Sequence, residues 1–168
     1  MIYKSETDKI RNKVLTFLKD KIDLETAIVL DIGCGSDKLI QQAIGIDKLK
    51  NDGIIVNLSI DANEVLPFNK DTVDVIYSSH LLEHLKNPES VLSDWIRVLK
   101  SSGWLVLYLP HKDFYTQLNP EHLHNFIQDD IENILVKTNL VKIEIKEMDI
   151  DDNKYSFLII ARKVAEGI

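Results

Sequence analysis

Val29-Leu30-Asp31-Ile32-Gly33-Cys34-Gly35-Ser36 interrupts an apolar run, which begins at Ala27, with an acid and two glycines. A short apolar run bounded in this way reads as a buried strand over residues 27–32. Gly33 and Gly35 can adopt backbone angles closed to other residues and let a ligand come close to the main chain. Asp31, at the strand's carboxyl end, can accept hydrogen bonds from a cationic or hydroxyl-bearing ligand. In open α/β sheets, ligands bind beyond the carboxyl ends of the strands, where the strand order reverses. Asp47 stands twelve residues past Gly35 and closes a second apolar run, Ala43-Ile44-Gly45-Ile46. An acid there is placed to take two ribose hydroxyls.

On the amino-terminal side, Ser5 to Asp8 reads as a helix start, and Ile10, Val14, Phe17 and Leu18 continue at helical spacing over residues 6–19. On the carboxyl side a third strand is expected over about 54–60. The connections between these strands are short. Seven residues separate Gly35 from Ala43, and six separate Asp47 from Ile54. A parallel crossover normally takes about a dozen residues or more, with a helix, so the helices after strands one and two are expected to be reduced. Further along, Asp61-Ala62-Asn63 precedes Leu66-Pro67-Phe68, and Val73 to Tyr77 forms a fourth strand that runs into Ser78-Ser79-His80-Leu81-Leu82-Glu83-His84-Leu85. Asn87 and Pro88 open a helix with an apolar stripe of Val91, Leu92, Trp95, Ile96 and Leu99. Trp104 to Leu109 is a fifth strand, residues 128–138 a helix, and Val141 to Lys146 with Tyr155 to Ala161 a closing antiparallel hairpin.

These pieces, in this order over roughly residues 27–110, resemble the class I S-adenosylmethionine (SAM)-dependent methyltransferases of the small Rossmann-like type. The resemblance implies an α/β fold with a seven-stranded, mostly parallel sheet of order 3-2-1-4-5-7-6. It also implies SAM as cofactor, held by Asp31, Gly33, Gly35, Asp47, Asp61, Ala62 and His80. Asp31 would meet the ammonium group, Asp47 the ribose, and Asp61 the adenine amino group. Glu83 or His84 would shape the acceptor pocket. The loop departs from the family pattern at Asp37, where a third glycine is common. Without G-x-G-x-x-G, and with Asp31 where a pyrophosphate would be repelled, a nicotinamide dinucleotide site is disfavoured.

His111 to Asn125 is irregular and rich in histidine and aromatic residues, and in the resembled fold it lies over the acceptor. A histidine there, His111, His122 or His124, is a candidate base, since imidazole titrates near neutrality. His80-Leu81-Leu82-Glu83-His84 matches the H-x-x-E-H zinc-protease pattern literally. Asn87-Pro88 leaves no room for the sustained helix that pattern needs, so no metal is expected there. The expected function is methyl transfer from SAM to an oxygen or nitrogen of a small-molecule acceptor. A SAM-binding, non-catalytic regulatory or scaffolding module is the alternative.

At 168 residues the chain suits a single domain spanning 1–168, and its 45% hydrophobic and 28% charged residues are an ordinary soluble balance. Twenty basic residues against 27 acidic give a net charge of −7 with no clustered basic stretch, which argues against a nucleic-acid partner. No apolar run approaches the ~20 residues of a membrane span, the start is too polar for a secretory signal, and a single cysteine, Cys34, forms no intrachain disulfide. A cytoplasmic location is the default reading, and Cys34 is read as a small filler. Strands one and two are apolar at nearly every position, yet the segments that should cover them are short. That combination suggests that the surface near strands two and three is covered by a second copy of the chain or by a partner domain.

Overall fold

A computed structural model describes residues 5–49, 55–115, 119–151 and 154–165. Helix α1 (Glu6–Lys19) begins where expected: the Ser5 hydroxyl accepts from the Asp8 N–H at 2.9 Å. Its buried residues, Ile10, Val14 and Leu18, recur every four positions and make one stripe. The strands are β1 (Val29–Ile32), β2 (Ile44–Asp47), β3 (Leu58–Ser59), β4 (Val73–Ser79), β5 (Leu99–Pro110), β6 (Val141–Met148) and β7 (Ser156–Lys163). They form one sheet in the order β3-β2-β1-β4-β5-β7-β6. β3, β2, β1, β4 and β5 are parallel neighbours, and β7 runs antiparallel to both β5 and β6. This is the order the resemblance implied.

Strand alternation divides the core into two layers. Leu30, Ile32, Ile76 and Leu107 face α2 (Pro88–Val98) and α3 (Gln128–Lys137), which supply Leu92, Trp95, Ile131 and Leu135. Val29, Val75, Tyr77, Tyr108 and Leu158 face α1 on the other side. Asn87 caps α2 through its side chain, 3.1 Å from the Ser90 N–H, with Pro88 in the first turn. Among the described residues, no helix is long and apolar enough to cross a membrane.

Several boundaries differ from the sequence reading. β1 begins at Val29, because the Ala27 N–H turns back to the Asp23 carbonyl at 3.0 Å. β3 is two residues long rather than seven; Ile54 lies outside the described residues. Ahead of β3, Asn57 replaces part of the ladder. Its N–H donates to the Gly45 carbonyl and its side-chain oxygen accepts from the Gly45 N–H, both at 2.8 Å. β5 starts at Leu99, since the chain after α2 pairs at once with Val73 before an irregular register brings Trp104 opposite Val75.

Described residues 36–43 contain no helix, as the short spacing required. Over β1 the described residues leave no exposed apolar face. All of β1 is buried, and Leu39 and Ala43 are 1% and 2% exposed within the α1 layer. The segment after β1 folds back over the sheet as irregular chain, whereas residues 50–54, between β2 and β3, lie outside the described residues.

Candidate active site

The carboxyl ends of β1, β2, β3 and β4 surround a cavity of about 480 Å³. Its lining includes Gly33, Asp47, Asp61, Ala62 and His80, and also Lys48, Leu49, Ile60 and Leu81, which spacing did not single out. Gly33 has φ +75°, and a Cβ there would stand 2.8 Å from a Leu81 methyl. Glycine is required here on both counts. Its N–H donates to the Ile46 carbonyl at 2.7 Å, binding the loop to β2. The Gly35 N–H donates to one Asp47 oxygen and the Leu49 N–H to the other, each at 2.9 Å. The carboxylate is thus fixed on the cavity wall. Asp61 accepts from the Asn63 backbone and side chain, and those bonds hold its carboxyl below the usual range.

Asp31 is placed differently. It lies on the α1 face of β1, 1% exposed, and accepts from the Leu39 N–H at 2.6 Å. It does not line the cavity. Burial raises its pKa to about 7 against the lowering effect of that hydrogen bond. Gly35 is likewise outside the lining and acts through Asp47. Asp37, which stands where a third glycine is common, pairs with the Ser5 hydroxyl and the Arg11 guanidinium. Arg11 also donates to the Lys38 carbonyl at 2.9 Å and the Leu39 carbonyl at 3.2 Å. α1 therefore clamps the loop where a helix would otherwise follow it. Cys34 is buried, with its Sγ 3.9 Å from the Ile55 carbonyl, and burial pushes its thiol up to about 12.

At the end of β4, His80 has φ +47°, its N–H donates to the Tyr108 carbonyl, and its Nε2 lies 2.8 Å from the Ser156 hydroxyl. Burial, with Lys9 next, pushes its pKa down to about 3, so the ring is neutral at pH 7. The positive φ also prevents the zinc-protease helix. Only a single 3₁₀ turn, Leu82–His84, follows.

A second cavity of about 460 Å³ opens beyond β5 and is lined by Pro110, Lys112, Asp113, Tyr115, Asn119, His122, His124 and Asn125. Of the three expected base candidates, His122 and His124 reach it and His111 does not. His111 is 6% exposed, packs against Phe114 and Phe157, and accepts from the Asp113 N–H at 3.2 Å through Nδ1. The Leu123 and His124 N–H groups both donate to the Glu83 carbonyl, at 2.8 and 3.1 Å. This docks the loop on the 3₁₀ turn between the two cavities. His124 Nε2 sits 2.9 Å from the Leu85 carbonyl. The Glu83 side chain is 1% exposed, and among the described residues both its oxygens lack a hydrogen-bond partner. Burial raises its pKa to about 8. His84 lines the first cavity, with Nδ1 3.0 Å from the Glu121 carbonyl.

Residues 3–145 match the family model described as a methyltransferase domain. The chain belongs to the methyltransferase domain family. A sterol 4-C-methyltransferase of Caenorhabditis elegans is 29% identical over 127 residues, which are 62% of this chain and 38% of that protein. The ubiquinone biosynthesis O-methyltransferase of Coxiella burnetii is 24% identical over 136 residues, 67% of this chain and 58% of that one. The chain thus spans roughly half the length, or less, of the curated relatives it matches. A SAM-dependent methyltransferase of Aquifex aeolicus shares the class I fold at a TM-score of 0.67, with 20% identity over 92% of this chain and 89% of that one.

Within this methyltransferase domain, sequence reasoning found the cavity through its glycines and acids. It missed Arg11 and Ser156, which are brought in by tertiary packing from elements distant in sequence. Arg11 carried a faint signal as a long cation on a helix whose neighbouring loop holds Asp37.

Proposed function

We propose that the chain catalyses methyl transfer from SAM to an oxygen or nitrogen of a small-molecule acceptor. The observation that carries this reading is the first cavity at the carboxyl ends of β1, β2, β3 and β4, with the second cavity adjoining it across Glu83. The residues suit the cofactor. Asp47 offers a fixed carboxylate for a ribose diol, while Ile46, Leu49, Ile60 and Ala62 give apolar walls for a purine. Gly33 leaves the main chain open to close approach. When bound, SAM supplies an electrophilic methyl on a sulfonium, so the protein's task is alignment of the acceptor rather than nucleophilic chemistry of its own. The histidines and Tyr115 of the second cavity would hold the acceptor at that junction. The relatives' names, a sterol carbon methyltransferase and a ubiquinone-pathway oxygen methyltransferase, support small-molecule acceptors without choosing the atom.

Calorimetry with SAM tests the site. Removing the Asp47 carboxylate as Asp47→Ala should weaken binding by about 1–3 kcal/mol, roughly 5- to 150-fold, the scale of a lost charged hydrogen bond. Unchanged affinity in both Asp47→Ala and Gly33→Val would sink the assignment. Release of S-adenosylhomocysteine during a screen of small-molecule acceptors separates an enzyme from a SAM-binding module.

A further inference from the structure

Glu83 raises a problem that the methyl-transfer reading does not solve. Its carboxyl group is sealed at 1% exposure, and among the described residues neither oxygen has a hydrogen-bond partner. A buried polar group left unpaired costs about 1–3 kcal/mol, and more when charged. Such a group is retained where something else completes it.

What faces it is specific. His84 Nε2 lies 3.7 Å and His122 Nε2 3.9 Å from Glu83 Oε1, and one ligand atom from each of the three residues lies within 4.8 Å of the others. The two imidazoles meet edge to face, with centroids 4.7 Å apart. The Glu121 carbonyl can only accept, so His84 Nδ1, 3.0 Å away, carries the proton. That fixes the tautomer and leaves the Nε2 lone pair directed at the Glu83 side. A histidine ligand whose other nitrogen donates to a carbonyl is the usual support for a metal-bound imidazole. The loop bearing His122 is not free to drift, because the Leu123 and His124 N–H groups are tied to the Glu83 carbonyl.

We infer that Glu83, His84 and His122 form a binding site for a divalent cation of the zinc type, on the seam between the two cavities. The donor set is one carboxylate and two imidazoles, which suits zinc and excludes the all-oxygen preference of calcium or magnesium. Bond lengths of about 2.0–2.2 Å in a tetrahedron put ligand atoms roughly 3.3–3.5 Å apart. The observed 3.7 and 3.9 Å from Glu83 to the two imidazoles need shifts of a few tenths of an ångström, and the His84–His122 pair, within 4.8 Å, must close by up to about 1.4 Å. Three protein donors leave a fourth position, the pattern of zinc sites that keep a place for water or a substrate oxygen. His84 lines the first cavity and His122 the second, so that position lies where both open. The H-x-x-E-H spacing thus contributes Glu83 and His84, with His122 completing the set through the loop. His80 Nδ1 also lies 4.0 Å from Glu83 Oε1, but its Nε2 is held by Ser156, and the ring is not part of the three-residue group.

The test uses the full chain, stripped with chelator and titrated with ZnCl₂ by calorimetry and with CoCl₂ by visible absorption, with no SAM present. One equivalent per chain is expected, with a cobalt spectrum of four- or five-coordinate geometry. Affinity should fall about tenfold or more in His84→Gln and in His122→Gln, and stay at the wild-type value in His124→Gln, whose ring is held on Leu85. Circular dichroism checks that the variants fold. Less than one equivalent in the wild-type chain, or wild-type affinity in both ligand variants, overturns the inference. A cobalt spectrum identical to that of the aqua ion overturns it without any variant. Because SAM is absent throughout, failure here leaves the methyl-transfer reading standing, and failure of SAM to bind leaves this site standing.

Discussion

Asp31 and Gly33 are two residues apart and serve opposite sides of the sheet. Gly33 opens on the first cavity, while Asp31 is buried under α1 against the Leu39 N–H. The motif was readable as a unit, and a period of two puts Asp31 on the face of Val29, but that α1 and the Leu39 segment cover this face is set by tertiary packing. That placement has a consequence for pH. The folded carboxyl holds its proton to about pH 7, whereas the unfolded one releases it near 3.8. The unfolded chain therefore binds fewer protons between those values, and stability from this group, complete below pH 3.8, is lost as pH rises towards 7. Asp31→Asn keeps an acceptor for Leu39 and removes the titration. Relative to Asp31→Asn, the wild-type chain should lose on the order of a few kcal/mol between pH 4 and 7.5 in urea melts; parallel profiles would refute the assignment. His124 makes a separate case at the same scale. Its replacement by Gln should lower turnover by about 10- to 100-fold through misplaced acceptor, with SAM affinity unchanged in calorimetry. Equal loss of both would make the loop part of the cofactor site.

The elements were legible where periodicity was strong, as in α1, α2, α3 and the closing hairpin. They were least legible at β3, where side-chain chemistry replaces backbone pairing. Asn57 and Gly45 explain why. Asn57 satisfies the Gly45 N–H through its side chain, and the chain crosses so closely that a Cβ on Gly45 would stand 2.1 Å from the Ile55 carbonyl and 2.9 Å from Cys34 Sγ. A backbone oxygen cannot yield as a side-chain tip can. Gly45→Ala should cost at least about 1–3 kcal/mol, the range for overpacked interiors, and lower Tm by several degrees. The disturbance is expected to reach Asp47, two residues on, so SAM affinity should fall with stability. A variant with wild-type Tm would mean that residues 55–57 do not cross β2 so closely.

At the scale of the molecule, the sheet is closed with unequal means. α2 and α3 cover one face as full helices, while α1 shares the other with an irregular segment that Arg11 pins down. Nothing in residues 36–43 announces this by pattern, since they lack helical period; their role depends on where Leu39 and Ala43 land, against a sheet that forms from elsewhere in the chain. The exposed large apolar residues, Leu49, Val65 and Leu123 among them, are scattered rather than joined over β1 and β2. Leu49 and Leu123 line the first cavity. The chain by itself should therefore sediment as a monomer near its 19.3 kDa mass. Leu39 is the plug whose removal would test why. Leu39→Ala takes a 1% exposed side chain from the α1 layer, a change that costs about 2–5 kcal/mol when the site cannot collapse. Because it thins the cover over β1, the variant should also self-associate with rising concentration while the wild-type chain does not. A wild-type mass of two chains at micromolar concentration would show instead that the short connections leave an interface after all, and Leu39→Ala would then weaken that dimer rather than create one.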